Sequence, residues 1–148
     1  MSGVRFVPNE RLRSAKLNRL VTTAEAPLDG GLYARQGEAW VPVRSSIETV
    51  ATTTHIPAVG TDGRWFRCTN ASGCAVTIPA NATQAHPVGT MLTYEQNATV
   101  AVTFAAAGGV TLRVPAAYAA STAERYAVVQ VCKVGTDEWV LYGHLLAL

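Results

Sequence analysis

Three cysteines, three histidines and one adjacent acidic pair are the side chains of this sequence best suited to covalent, metal or acid–base chemistry. Cys68, Cys74 and Cys132 are an odd number, which argues against a closed disulfide framework. Cys68 and Cys74 flank the turn-like stretch Thr69–Gly73 and are placed to face each other across a hairpin. Reduced thiols packed as small apolar groups are the expected state, since cytosolic proteins seldom keep disulfides. A zinc centre wants more ligands at tighter spacing, and His55, His86 and His144 are scattered. His86 is followed by Pro87, with no acid or nucleophile clustered near it. Asp137-Glu138 reads as the tip of a β-turn rather than as a working carboxylate pair. No Gly-rich loop opens onto a helix in the phosphate-cradling form, and no Ser/His/Asp or Cys/His constellation is legible. The expectation is a protein that is not an enzyme, with no catalytic residue, no cofactor and no metal.

Non-covalent chemistry has three candidate locations. Trp65, Trp139 and Tyr142 are the aromatics that would form a sugar-binding face, but each lies in a strand-like run beside apolar residues, so core packing is the expectation. Asn70-Ala-Ser72, Asn81-Ala-Thr83 and Asn97-Ala-Thr99 match the glycosylation pattern, yet asparagine is a natural turn residue between strands, and no signal peptide is recognisable. The third location is the N-terminal arm. Arg5, Arg11, Arg13, Lys16 and Arg19 against Glu10 give residues 1–20 a net charge of +4, whereas residues 45–148 hold five basic and six acidic groups, a net of −1. Leu12, Leu17 and Leu20 interrupt the charges of the arm. A phosphate-binding arm has little use for them, so docking on protein is expected and nucleic-acid binding is not.

The elements that must position these groups follow from composition and pattern. Apolar residues make up 49% of the 148 and charged residues 15%, below the roughly 25% of an average soluble chain, so a core is available and surface is expected to be hidden against partners. No stretch approaches the roughly 20 apolar residues of a membrane span, and no membrane association is expected. Asn9 and Glu10 suit the start of a short helix around 9–21, too short and charged to be stable alone. Residues 1–25 are read as an anchoring arm and 26–46 as a linker. Within the linker, Leu32–Arg35 and Trp40–Val43 form a β-hairpin with its loop at Gly37. Residues 47–148 are read as an antiparallel β-sandwich-like or barrel-like domain. Its runs are Thr49–Ile56, Arg64–Thr69, Ala75–Ile78, Thr90–Gln96, Thr99–Phe104, Val110–Val114, Arg125–Val134 and Glu138–Tyr142. Val100, Val102 and Phe104 alternate with Thr99, Ala101 and Thr103 as on a half-buried strand. Ala116–Ala123 is read as loop or a single turn, and Gly135-Thr136-Asp137 as the turn between the last two strands.

Two stretches resemble proteins of bacteriophage particles. Residues 26–41 resemble the hairpins of phage tail-fibre and virion proteins, with matches at Pro27, Asp29, Gly30, Tyr33, Arg35, Gly37 and Trp40. Residues 64–145 resemble a β-module at the ends of phage fibre, minor-tail and head-decorating proteins, through Pro87-Val-Gly-Thr90, Gly109-Val-Thr-Leu112 and the run Lys133 to His144. The resemblance implies a virion structural protein assembled in the host cytoplasm, acting as a tail adaptor, short fibre or head decoration. It also implies a homotrimer that contacts tail, portal/adaptor or capsid proteins. Docking is assigned to Arg11, Leu12, Arg13, Lys16, Leu17, Arg19 and Leu20. The alternative is a carbohydrate-binding module that recognises a host surface glycan. The resemblance carries no catalytic residue.

Overall fold

The computed structural model describes Tyr33–Gln36, Ala39–Pro42 and Ser45–Leu148, and the chain divides between Arg44 and Ser45 into two units. In the first unit, β1 (Tyr33–Gln36) and β2 (Ala39–Pro42) pair antiparallel, with Arg35 opposite Trp40 and Gln36 opposite Ala39. The expected hairpin therefore forms, shifted by one residue. The expected helix at 9–21 lies outside the described residues.

The second unit holds eleven strands. They are β3 (Ile47–Val50), β4 (Thr54–His55), β5 (Trp65–Cys68), β6 (Cys74–Ile78), β7 (Met91–Gln96), β8 (Val102–Ala106), β9 (Thr111–Arg113), β10 (Tyr118–Thr122), β11 (Val128–Gly135), β12 (Glu138–Gly143) and β13 (Leu145–Ala147). They form a six-stranded sheet in the order β3-β5-β7-β11-β12-β9 and a five-stranded sheet in the order β13-β10-β8-β6-β4. The domain is mainly β, as expected, but the sheets are mixed rather than antiparallel. Pairs β3–β5, β5–β7, β4–β6, β6–β8 and β9–β12 are parallel. The reason lies in the connections. From Ile47 to Ala106 each strand of one sheet is followed by a strand of the other, so three successive turns of chain stack on one another. Neighbours within a sheet then run the same way. Parallel strands need a crossover connection, usually a helix; here a strand of the opposite sheet serves. Antiparallel order returns only with β10, β11, β12 and β13.

The core lies between the two sheets. Along β6 and β11 buried and more accessible residues alternate, as period-two strands with one covered face require. Phe66 stacks on Tyr94 at 5.0 Å between ring centroids, and Phe104 of the facing sheet meets Tyr94 edge-on at 5.3 Å. Buried Gln96 closes one end of the core. Its Nε2 donates to the carbonyls of Ala98 and Thr99 at 3.1 and 3.3 Å, and its Oε1 accepts from the Thr122 hydroxyl.

Four local expectations are corrected. Thr49–Ile56 is two strands in different sheets, because the chain crosses after Val50. Thr99–Phe104 begins later, at Val102, and Val100 is exposed on the crossing loop; only Val102 and Phe104 face the core. Ala116–Ala123 contains strand β10, which β8 and β13 pair on either side. Arg125–Val134 starts as a strand only at Val128.

Candidate functional site

Alternation along β5 and β7 turns Phe66, Cys68, Leu92, Tyr94 and Gln96 inward, which leaves Trp65, Arg67 and Glu95 on the outer face of the six-stranded sheet. The parallel register sets Arg67 beside Glu95. Glu95 is the centre of a network: Oε2 accepts from Trp65 Nε1 at 2.9 Å and Arg67 Nε at 3.1 Å, and Oε1 accepts from Asn97 Nδ2 at 3.3 Å. Burial alone would raise this carboxyl; the hydrogen bonds from Trp65, Arg67 and Asn97, with the Arg67 charge, outweigh it and hold Glu95 below the ordinary glutamate value.

The network continues onto the loop between β10 and β11. Arg125 Nε donates to the Asn97 carbonyl at 2.9 Å, and the Arg125 guanidinium lies 4.7 Å from the centroid of the Tyr126 ring. Glu124 to Ala127 is a β-turn, closed by the Ala127 amide on the Glu124 carbonyl at 3.0 Å. Its third position, Tyr126, has φ +70°, and Tyr126 is the only non-glycine residue with positive φ among the described residues. The Tyr126 side chain is 60% exposed. Trp65, Arg67, Glu95, Asn97, Arg125 and Tyr126 thus form one connected surface, with an exposed aromatic ring, two guanidiniums and a carboxylate engaged on both oxygens.

A second polar cluster is buried. Lys133 points between the sheets, and its Nζ donates to Asn81 Oδ1 at 2.6 Å and to the His86 carbonyl at 2.7 Å. It lies 5.7 Å from the centroid of the Trp139 ring, which the His86 ring meets edge-on. His86 Nε2 is 3.1 Å from the Pro57 carbonyl. The Asn81 amide donates to Asp137 Oδ1 at 2.7 Å. These contacts fasten residues 79–90 to β11 and to the turn after it; the Lys133 ammonium directs its hydrogen bonds inside the fold, while the buried Trp139 Nε1 and Thr90 Oγ1 have no partner among the described residues.

The sequence-derived candidates distribute as follows. Trp139 is buried, as expected of a core residue, but Trp65 is half-buried and Tyr142 exposed on the outer face, so core packing does not describe them. Asp137 and Glu138 separate: Asp137 holds Asn81, and Glu138 pairs with Arg113 of β9. Cys68 and Cys74 do not face across a hairpin, because Thr69–Gly73 carries the chain from one sheet to the other. Both are buried free thiols, and the neighbouring Cys74 thiol, together with burial, pushes the Cys68 thiol up. Tyr33, Arg35 and Trp40 lie on β1 and β2. Asp29, Gly30, Gly37 and the arm residues Arg11, Leu12, Arg13, Lys16, Leu17, Arg19 and Leu20 lie outside the described residues. Among the described residues no group of three or more His, Cys, Asp and Glu side chains gathers as a metal ion would require.

Sequence reasoning missed Arg67, Glu95 and Tyr126. The alternation of Phe66, Cys68, Tyr94 and Gln96 with Arg67 and Glu95 was a usable signal for the first two. None existed for Tyr126, since its turn position calls for glycine or asparagine. No known protein family matches the chain, and no curated protein matches it.

Proposed function

We propose that this protein is a non-enzymatic structural component of a phage particle. The basic arm 1–25 holds it to tail, portal or capsid proteins, and copies of the β-domain associate as a homotrimer. The observation that carries the reading is an asymmetry between the two sheets. The five strands β4, β6, β8, β10 and β13 contain no Asp, Glu, Lys or Arg at all. That sheet exposes only uncharged side chains, among them the small Ala75, Thr77, Thr103 and Ala105 on β6 and β8 and the larger Tyr118 and Leu146 on β10 and β13. A charge-free face can be buried against neighbouring copies with no charge to desolvate. The six-stranded sheet carries the charges of Glu48, Arg67, Glu95, Arg113 and Glu138. The resemblance of residues 26–41 and 64–145 to virion proteins supports the same reading.

The test has two arms. Light scattering of the purified protein should give a species near three times 15.6 kDa, and Thr103→Arg, which sets a charge on the uncharged face, should dissociate it. A wild-type monomer at micromolar concentration sinks the trimer. Deleting residues 1–25 should leave a cooperatively folding domain that no longer joins particles lacking the native copy. Replacing Arg11, Arg13, Lys16 and Arg19 with Gln should weaken attachment most at low salt, where screening is least. Incorporation of the truncated protein at the full-length level would remove the arm as the anchor.

A further inference from the structure

We infer that the surface formed by Trp65, Arg67, Glu95, Asn97, Arg125 and Tyr126 is a binding site for an acidic oligosaccharide, one whose sugars carry carboxylates. Four observations lead there. The first is the backbone of Tyr126. A φ of +70° is a conformation that glycine adopts freely and a tyrosine does not. Strained residues of this kind cluster at ligand sites. Burial does not account for the tyrosine, since its ring is 60% exposed. Arg125 covers one part of the ring from 4.7 Å; the remainder is open to the C–H face of a pyranose.

The second observation is the state of the two guanidiniums. Arg67 and Arg125 are each pinned through Nε, to Glu95 and to the Asn97 carbonyl, and neither uses its Nη groups on any described residue. Such oriented forks match a carboxylate. The third is charge. Glu95 is buried and engaged on both oxygens by three donors, so its main effect is to orient Trp65, Arg67 and Asn97. Arg67 and Arg125 are balanced by Glu95 and by Glu124 of the same turn, which lies 3.7 Å from His144 Nε2, so the cluster is locally neutral and its positive charge is confined to the two guanidiniums. Two oriented guanidiniums in a locally neutral surrounding suit discrete carboxylates better than a polyphosphate backbone, which calls for an extended positive surface.

The fourth is extent. The β7–β11 ladder continues past Val128 opposite Glu95 to Tyr126, whose amide donates to the Gln96 carbonyl, while Trp65 lies in register with Thr93. The two aromatics are therefore about four residues apart along the strands and two strands apart across them, or roughly 16 Å. That is longer than one pyranose and suits a short oligosaccharide. The face involved belongs to the charged sheet, so the inference stands whether or not the arm docks on a particle.

The experiment uses the full-length protein on an array of uronate- and sialate-containing oligosaccharides with their neutral counterparts, followed by calorimetry on the best acidic probe. Acidic probes should bind at least tenfold tighter than neutral ones, and the preference should shrink as salt is added. Arg67→Gln and Arg125→Gln should each weaken binding about tenfold or more. Tyr126→Gly should abolish binding while the melting temperature stays unchanged or rises, because glycine relieves the backbone. Tyr118→Ala, at an exposed tyrosine of the other sheet, should leave affinity unchanged. Acidic probes held no better than neutral ones would overturn the inference, and so would wild-type affinity in Tyr126→Gly.

Discussion

Lys133 gives the sharpest test of how this domain holds itself together. It is 2% exposed, and two acceptors receive its protons, Asn81 Oδ1 at 2.6 Å and the His86 carbonyl at 2.7 Å. Lys133→Met keeps most of the stem and removes the ammonium. Each hydrogen bond to a charged group contributes about 1.5–3 kcal/mol, and a buried carbonyl left without a donor costs about 1–3 kcal/mol. Asn81 is half-buried and can turn to water, so the His86 carbonyl bears most of that cost. The methionine also ends the expense of holding an ammonium away from water, several kcal/mol before compensation. The balance is a loss of about 2 kcal/mol. Lys133→Ala removes the stem as well, roughly three methylenes at about 0.8 kcal/mol each, for a total loss near 4 kcal/mol. Urea unfolding followed by circular dichroism measures both, and amide exchange at Asn81 and Gly89 reports whether the 79–90 loop loosens locally. If Lys133→Met is as stable as wild type with unchanged exchange, the ammonium contributes nothing net and the loop is held by something else.

Trp139→Ala should cost about 3–5 kcal/mol, since the indole is 1% exposed. Trp139→Phe should cost roughly 1–2 kcal/mol, because the buried Nε1 has no partner to lose; equal losses in the two variants would refute that reading. Glu95 contributes stability that is fully present above its unfolded value near 4.5 and is lost as pH falls through its lower folded value. The slope of melting temperature against pH in that acid window should flatten in Glu95→Gln, and an unchanged slope would show that other carboxylates set it. Gly143 has φ +123°, and a Cβ there would sit 2.6 Å from the Val128 carbonyl oxygen and 2.8 Å from Val129 Cα. Gly143→Ala should therefore cost about 3 kcal/mol or more, against about 1 kcal/mol for Gly89→Ala, where positive φ meets open space; similar melting temperatures would contradict the steric argument.

The β character of the domain, the hairpin around residues 33–42, the β11–β12 hairpin and the burial of Trp139 were legible in the sequence. These features are local. Period-two alternation, turn residues such as Gly135-Thr136-Asp137 and β-branched runs act between neighbours in the chain, where short connections leave few alternatives. Which strands pair, and in which direction, is a different kind of fact. A run such as Thr99–Phe104 carries the same alternation whether the next strand returns beside it or crosses to the facing sheet. The choice was made by core packing, with Phe66, Tyr94 and Phe104 meeting between layers. The parallel ladders from β3 to β8 therefore belong to the tertiary structure, as does β10, whose alanine-rich sequence is a poor strand former held by its neighbours on both sides. The Glu95 surface belongs there too. Residues 65, 67, 95, 97, 125 and 126 come from three separated segments, and only the register of β5, β7 and β11 brings them together. The sequence shows that Arg67 and Glu95 face away from the core; their meeting, and the left-handed backbone that lifts Tyr126 to the surface beside them, are decided by how the sheets are assembled.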